Sequence, residues 1–158
     1  MSRFVADHLT EPLLARLALD NAFINVDRAI VICSTDEHGW PHPAMLSSLE
    51  MIARDARNIR LAPHVASRTA RNLLANGRLT AILADETGVF YVKGDVLRVT
   101  AFLESDQNLA KFNMRVDTVL QDDPAAYEAA RVVSGVRVER GALDRERAER
   151  ILRELMAD

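Results

Sequence analysis

Apolar and polar positions change rhythm several times along the chain. Leu13, Leu14, Leu17 and Ala18 repeat at helical spacing, and Thr10 ahead of Glu11-Pro12 suits a helix start, so the pattern predicts a helix over 10–20. Arg28–Thr35 is β-branched and apolar on both faces and reads as a buried strand. Asp36-Glu37-His38-Gly39 reads as a turn. Pro41 and Pro43 stand at alternate positions and cannot donate to a ladder there, so this piece reads as an edge, which Ala44–Ala53 prolongs as one long strand. A polar turn over Arg54–Asn58 leads into returning strand Ile59–Ala62, and strands are expected at Leu79–Ala84, Val89–Thr100 and Ala110–Leu120. Gly94 inside the Val89–Thr100 strand predicts a bulge, a bend or a close approach by another group. Residues 102–108 read as loop, 124–131 as a short helix and Val136–Val138 as a short extended piece. Asp144 then caps a closing helix with Ala148, Ile151, Leu152 and Leu155 on one side, and Glu146/Arg150 and Glu149/Arg153 are placed to support its outer face.

One more helix interrupts the strands. Ser67 suits an N-cap, Ala70, Leu73 and Leu74 form the buried face, and Gly77 sits where a helix ends in left-handed backbone. Its charge runs against rule. First turns favour Asp and Glu because the dipole is positive there. Here Arg68 and Arg71 occupy the opening with no acid beside them. Free amides and two guanidiniums suit an anion, above all a phosphate. The alternative is that both arginines point into solvent or pair with distant carboxylates.

A run of hairpin-linked strands with a single intervening helix argues against a doubly wound sheet. An antiparallel barrel closed on itself hides the edges of such strands. At 158 residues the chain suits one domain: an N-terminal helix at 10–20, a barrel at 26–120 and a helical segment at 124–158. A net charge of −3 offers no surface for nucleic acid. Cys33 is the only cysteine, which excludes an intrachain disulfide and a cysteine metal cluster. No leader pattern or membrane-length apolar run is read, and a cytoplasmic setting is expected. Zinc-hydrolase, nucleophile-elbow and P-loop patterns are absent.

Three pieces, in order, carry a family likeness: Thr35-Asp36-Glu37-His38-Gly39-Trp40-Pro41, then Ser67-Arg68-Thr69-Ala70-Arg71-Asn72-Leu73, then Tyr91-Val92-Lys93-Gly94. Over roughly residues 26–104 the chain resembles the pyridoxamine 5′-phosphate oxidase-like FMN-binding split barrels. That resemblance implies a mainly β protein with flanking helices, a six-stranded antiparallel split barrel, and a homodimer with FMN at the subunit interface. It places Ser67 and Arg68 on the phosphate, with Thr69, Arg71 and Asn72 of the same motif nearby. It lays the turn Ala62–Ala66, with His64 and Val65, along the ribityl chain, and the strand bearing Met45, Leu46 and Ser47 along the isoalloxazine, where Ser47 or Ser48 reaches a ring edge. The Lys93-Gly94 strand is expected near the ring, from the same subunit or its partner.

Several positions depart from the family pattern. Thr69 stands where the oxidases favour lysine, so a hydroxyl replaces a charge and Arg71 is left to compensate. Ala44 lies where those oxidases often carry arginine, and a mixed-charge helix, Asp144–Asp158, replaces the basic segment that grips pyridoxamine phosphate. The resemblance therefore implies a flavin-dependent oxidoreductase acting on a small molecule or a nicotinamide donor, not the oxidase proper. The alternatives are a non-catalytic flavin-binding or storage protein, a barrel holding haem or deazaflavin, and an empty dimeric scaffold. His8 and His38 read as surface residues, while His42 and His64 fall on stretches expected to meet the flavin. Trp40 and Tyr91 read as packing residues or ring neighbours, and Cys33 as an inert small hydrophobe.

Overall fold

Eight strands, all paired antiparallel, make up one sheet in the computed structural model, which describes residues 1–158. In chain order the elements are β1 (Arg3–Ala6), α1 (Glu11–Arg16), β2 (Ile30–Thr35), β3 (Pro41–Leu46), β4 (Met51–Asp55), β5 (Asn58–Leu61), α2 (Arg68–Asn76), β6 (Arg78–Asp85), β7 (Gly88–Thr100), β8 (Lys111–Asp122) and α3 (Arg145–Met156). The sheet order is β3-β2-β6-β7-β8-β5-β4, with β1 added beside β8. Its two end strands, β3 and β4, are joined by only the four residues Ser47–Glu50. The sheet must therefore curl until its edges approach, yet no ladder joins them. This is the split barrel that the family resemblance implies, left open where strand edges alone suggested closure, and it has two strands more than the six read from the sequence.

The expected long strand Ala44–Ala53 is broken by a local hydrogen-bonding choice. Glu50 Oε2 accepts from the Ser47 amide (2.9 Å) and the Ser47 hydroxyl (2.7 Å), and the Glu50 amide returns to the Ser47 carbonyl (3.0 Å). Serine and carboxylate side chains compete with a ladder for backbone partners in this way. The first helix is also shorter than 10–20: it stops at Arg16 and is followed by a 3-10 turn at Leu19–Asn21. Residues 124–131 hold only one 3-10 turn, Pro124–Ala126.

The barrel interior is a cluster of 23 buried apolar residues, among them Ile32, Leu61, Leu83, Val92, Phe112 and Met114, with Leu9, Leu13 and Leu17 from α1 and its approach. A second cluster lies outside β4 and β5, where Ile151, Leu152 and Leu155 of α3 cover Ile52 and Ala62. Each such side chain contributes about 1.5–3 kcal/mol when fully buried, so α3 is held by its apolar stripe. The outer face of α3 is laced differently from the expected pairs: Arg145 Nε donates to Glu149 (2.9 Å), and Arg147 reaches Asp106. At its C-terminal end the buried Lys111 donates to the carbonyls of Glu154 (2.9 Å) and Ala157 (2.6 Å).

Lys93/Gly94 is the site of a register shift against β8, where Gly94 faces the Arg115 carbonyl so closely that a Cβ would lie 2.2 Å from it. Residues 133–138 form a strap across the start of β2. Its Val136 carbonyl accepts from the Ala29 amide (2.9 Å), the Val138 amide donates to Asp27 (2.8 Å), and Arg137 pairs with Asp27.

Candidate functional site

The β2–β3 hairpin and the start of α2 build a shared cleft. Asp36 carries the turn: its carboxylate accepts from the amides of His38 (2.9 Å) and Trp40 (2.9 Å), and Gly39 takes φ 81°. The Trp40 amide in particular, with the His38 amide and the field of Arg68 adding to it, holds the Asp36 carboxyl below the usual carboxylate range. Beneath this turn, Ser67 caps α2 by accepting from the Ala70 amide (3.0 Å), and Gly77 closes the helix at φ 59°. Two bonds fasten α2 to β2: Asn72 Nδ2 donates to Ser34 Oγ (3.0 Å), and Asn76 Nδ2 donates to the Thr35 carbonyl (2.7 Å). The result is a cleft of about 370 Å³ lined by Asp36, Glu37, His38, Arg68, Arg71, Asn72 and Ala75. No carboxylate pairs with Arg68 or Arg71, whereas seven other arginines do find one. Two guanidiniums on the positive half of a helix thus face a cleft whose Asp36 is already committed to backbone amides.

Thr69 is not available to this cleft. It is buried, as helix periodicity demands for a residue one position from an outward arginine. Asn72 lines the cleft but spends its amide nitrogen on Ser34. His64 and Val65 are exposed on the loop that feeds α2. There His64 Nδ1 accepts from the Ala66 amide (3.2 Å), the Val65 amide donates to Asn108 (2.8 Å), and His64 bridges Leu109. These bonds fix where the helix begins.

β3, the strand expected to meet a ring, lies outside the cleft lining and offers its backbone along a sheet edge. It pairs with β2 on one side and has no strand on the other. The Asp36 amide bonds the Trp40 carbonyl (2.9 Å), which sets the parity of the ladder. Counting from there, residues 42, 44 and 46 exchange bonds with β2, and residues 41, 43 and 45 turn their backbone groups to the free edge. Pro41 and Pro43 therefore sit where no ladder amide is lost. Of the three expected ring-contacting residues, only Met45, whose side chain is also 59% exposed, offers free backbone groups. Leu46 points into the core and pairs with Ile30, and Ser47 gives its amide and hydroxyl to Glu50. Ser48 is likewise consumed, donating to the Ala22 carbonyl (2.5 Å).

His42 is half-buried beside Ser34, and Trp40, at 70% exposure, packs in neither core nor cleft. Asp36 and His38 were read as ordinary turn and surface residues, yet both line the cleft. Only their spacing from the helix in three dimensions reveals it. Lys93 and Gly94 line a separate hollow with Cys33, Thr35, Arg78 and Thr80 on the outer face of β2, β6 and β7.

No family model matches the sequence. The uncharacterized protein YclD of Bacillus subtilis (strain 168) is 30% identical over 123 residues, which span 77% of this chain and 78% of YclD. The chain belongs to the YclD family. Among solved structures, a proposed pyridoxamine 5′-phosphate oxidase from Lactobacillus delbrueckii superposes on this family member with a TM-score of 0.58 at 17% identity, over 75% of this chain and 98% of the other. HupZ of Group A Streptococcus superposes with a TM-score of 0.53 at 11% identity, over 73% of this chain and 97% of its own. The fold of this YclD-family chain is thus the pyridoxamine 5′-phosphate oxidase-like split barrel.

Proposed function

We propose that this YclD-family chain binds FMN and serves as a flavin-dependent oxidoreductase for a small-molecule or nicotinamide donor. The observation that carries this reading is the pair Arg68 and Arg71, unpaired and side by side on the cleft at the N-terminal half of α2. Charge-assisted bonds from guanidinium to phosphate are strong and directional. The cleft lies at the turn from which β3 leaves, so a ligand anchored there has an exposed backbone edge leading away from its phosphate. When bound, the flavin supplies the electron transfer; the chain's residues hold the phosphate, present the β3 edge and limit access.

The reading extends to a homodimer. Met45, Val31, Ile82, Tyr91 and Leu120 lie opposite one another across five strands and form an apolar row on the outside of the barrel. The strap residues Ser134, Gly135 and Val136 border this row at Val31 and Ile82. They lie at the far end of β2 from the Arg68 cleft, so the strap flanks the proposed interface and leaves the cleft uncovered.

Titration of FMN into the purified protein tests the site. Arg68→Ala weakens binding by about 1.5–3 kcal/mol, the worth of a hydrogen bond to a charged group. Unchanged affinity removes Arg68 from the site. Anaerobic bleaching of the bound flavin by NADH or NADPH supports the oxidoreductase. Tight FMN binding with no bleaching by either nicotinamide leaves a flavin-binding protein without that donor.

A further inference from the structure

The free edge of β3 carries an unusual message because two of its three outward residues are prolines. Residues 41, 43 and 45 face away from β2. An ordinary strand would show an amide and a carbonyl at each. Pro41 and Pro43 have no amide hydrogen. The next outward amide beyond Met45, that of Ser47, is taken by Glu50 Oε2 at 2.9 Å. No loop amide or side chain donates to the carbonyls of Pro43 or Met45. Along the strand the edge therefore reads acceptor (Pro43 C=O), donor (Met45 N–H), acceptor (Met45 C=O), with a further lone acceptor at Pro41. Met45 N–H is the only donor from Pro41 to Ser47.

Such an edge suits a ligand rim that reads donor, acceptor, donor. The two oxidation states of a flavin differ in this respect. In the reduced ring N5–H, C4=O and N3–H read donor, acceptor, donor. In the oxidised ring N5 is a bare acceptor, so the rim reads acceptor, acceptor, donor. Against β3 the oxidised form sets N5 against a carbonyl with no hydrogen between them, and an unpaired buried polar group is costly. A reduced 5-deazaflavin has carbon at that position and gains nothing.

We propose that the Pro41-x-Pro43-x-Met45 edge is a reader of flavin oxidation state, and that this protein binds reduced flavin in preference to oxidised flavin. The proposal rests on the FMN reading of the Arg68 cleft and goes beyond it, because it assigns a redox preference to backbone groups that no side-chain motif would reveal. The preference raises the midpoint potential of the bound flavin above that of free FMN.

The test is a pair of anaerobic titrations, with FMN and with dithionite-reduced FMN, on the full chain and on Pro43→Ala. Pro43→Ala restores one outward amide on an edge strand without removing a ladder bond. The expected result is reduced FMN binding at least tenfold more tightly than oxidised FMN, equivalent to about 30 mV for a two-electron couple. In Pro43→Ala that ratio shrinks because the oxidised form gains a donor. Pro41→Ala, at the end of the edge nearest the turn, leaves the ratio nearer that of the unaltered chain. Equal affinities, or tighter binding of the oxidised form, overturn the proposal and leave the FMN reading standing. A ratio unchanged by Pro43→Ala also overturns it, since the preference then arises elsewhere. Binding of neither form defeats the FMN reading and this proposal together.

Discussion

Replacing Gly94 by alanine probes how tightly the barrel is wound where β7 crosses β8. A Cβ added at this position would sit 2.2 Å from the Arg115 carbonyl oxygen, 2.9 Å from its carbon and 3.1 Å from the Met114 methyl. Two of these three neighbours are backbone, so no rotamer change relieves the overlap. The strands must separate until the 2.2 Å contact exceeds 3.0 Å. Overpacking of this kind costs about 1–3 kcal/mol, and a bulge already present at Lys93/Gly94 leaves little slack. For a domain of this size each 1 kcal/mol lowers Tm by roughly 2–4 °C, so Gly94→Ala melts roughly 2–12 °C below the unaltered protein. Differential scanning calorimetry with a urea titration measures both quantities. A variant within about 0.5 kcal/mol of the parent, the range of an ordinary surface substitution, refutes the close-contact account. An upward shift in Tm refutes it more strongly, since alanine reduces the freedom of the unfolded chain and would then have met no clash.

Three further outcomes follow from the structure. Lys111→Met keeps the buried stem but strips donors from the Glu154 and Ala157 carbonyls, and chemical denaturation should show a loss of about 1–3 kcal/mol. Burial holds the Lys111 ammonium below its ordinary pKa of 10.5, so between the folded and unfolded pKa the unfolded chain binds more protons; stability rises with pH across that window in the parent and not in Lys111→Met. Asp7, drawn to about 2 by its bond to His8 and then by Arg57, contributes stability that is present above the ordinary value of 3.8 and is lost as pH falls toward 2; in His8→Ala its carboxyl titration, followed by NMR, moves back toward 3.8. Ile82→Arg places a charge in the middle of the apolar row proposed as the homodimer interface; sedimentation equilibrium of parent and variant is expected to give a dimer and a monomer, whereas a monomeric parent refutes the proposed dimer and a dimeric variant excludes that row from its interface.

Local signals in the chain were sufficient for most elements. Ser67, Gly77 and the buried Ala70 and Leu73 between them define α2 because capping and burial act within one or two turns, whereas Leu74, expected on the same face, is exposed. Asp144 and the 148/151/152/155 stripe do the same for α3. Gly94 left a bulge, a bend or a close approach open, and only the register with β8 shows a bulge there and an approach to the Arg115 carbonyl. The Ser47–Glu50 break had a local cause, yet it hid inside an apolar run whose period favoured a continuous strand. β1 had no such signal: Arg3–Ala6 becomes a strand because β8 offers it an edge more than a hundred residues away.

The candidate site divides in the same way. The sequence alone determined that two arginines open a helix without an acid beside them and that two prolines stand at alternate positions before Met45, since both follow from spacing of a few residues. Tertiary structure decided which of these groups are free. It buried Thr69, gave Asn72 to Ser34 and Ser47 to Glu50, brought Asp36 and His38 over the helix, and turned Met45's backbone to an open edge. The physical reason is that a hydrogen-bonding group becomes available to a ligand only when no other part of the folded chain has claimed it, and those claims are made between residues that sequence spacing does not bring together.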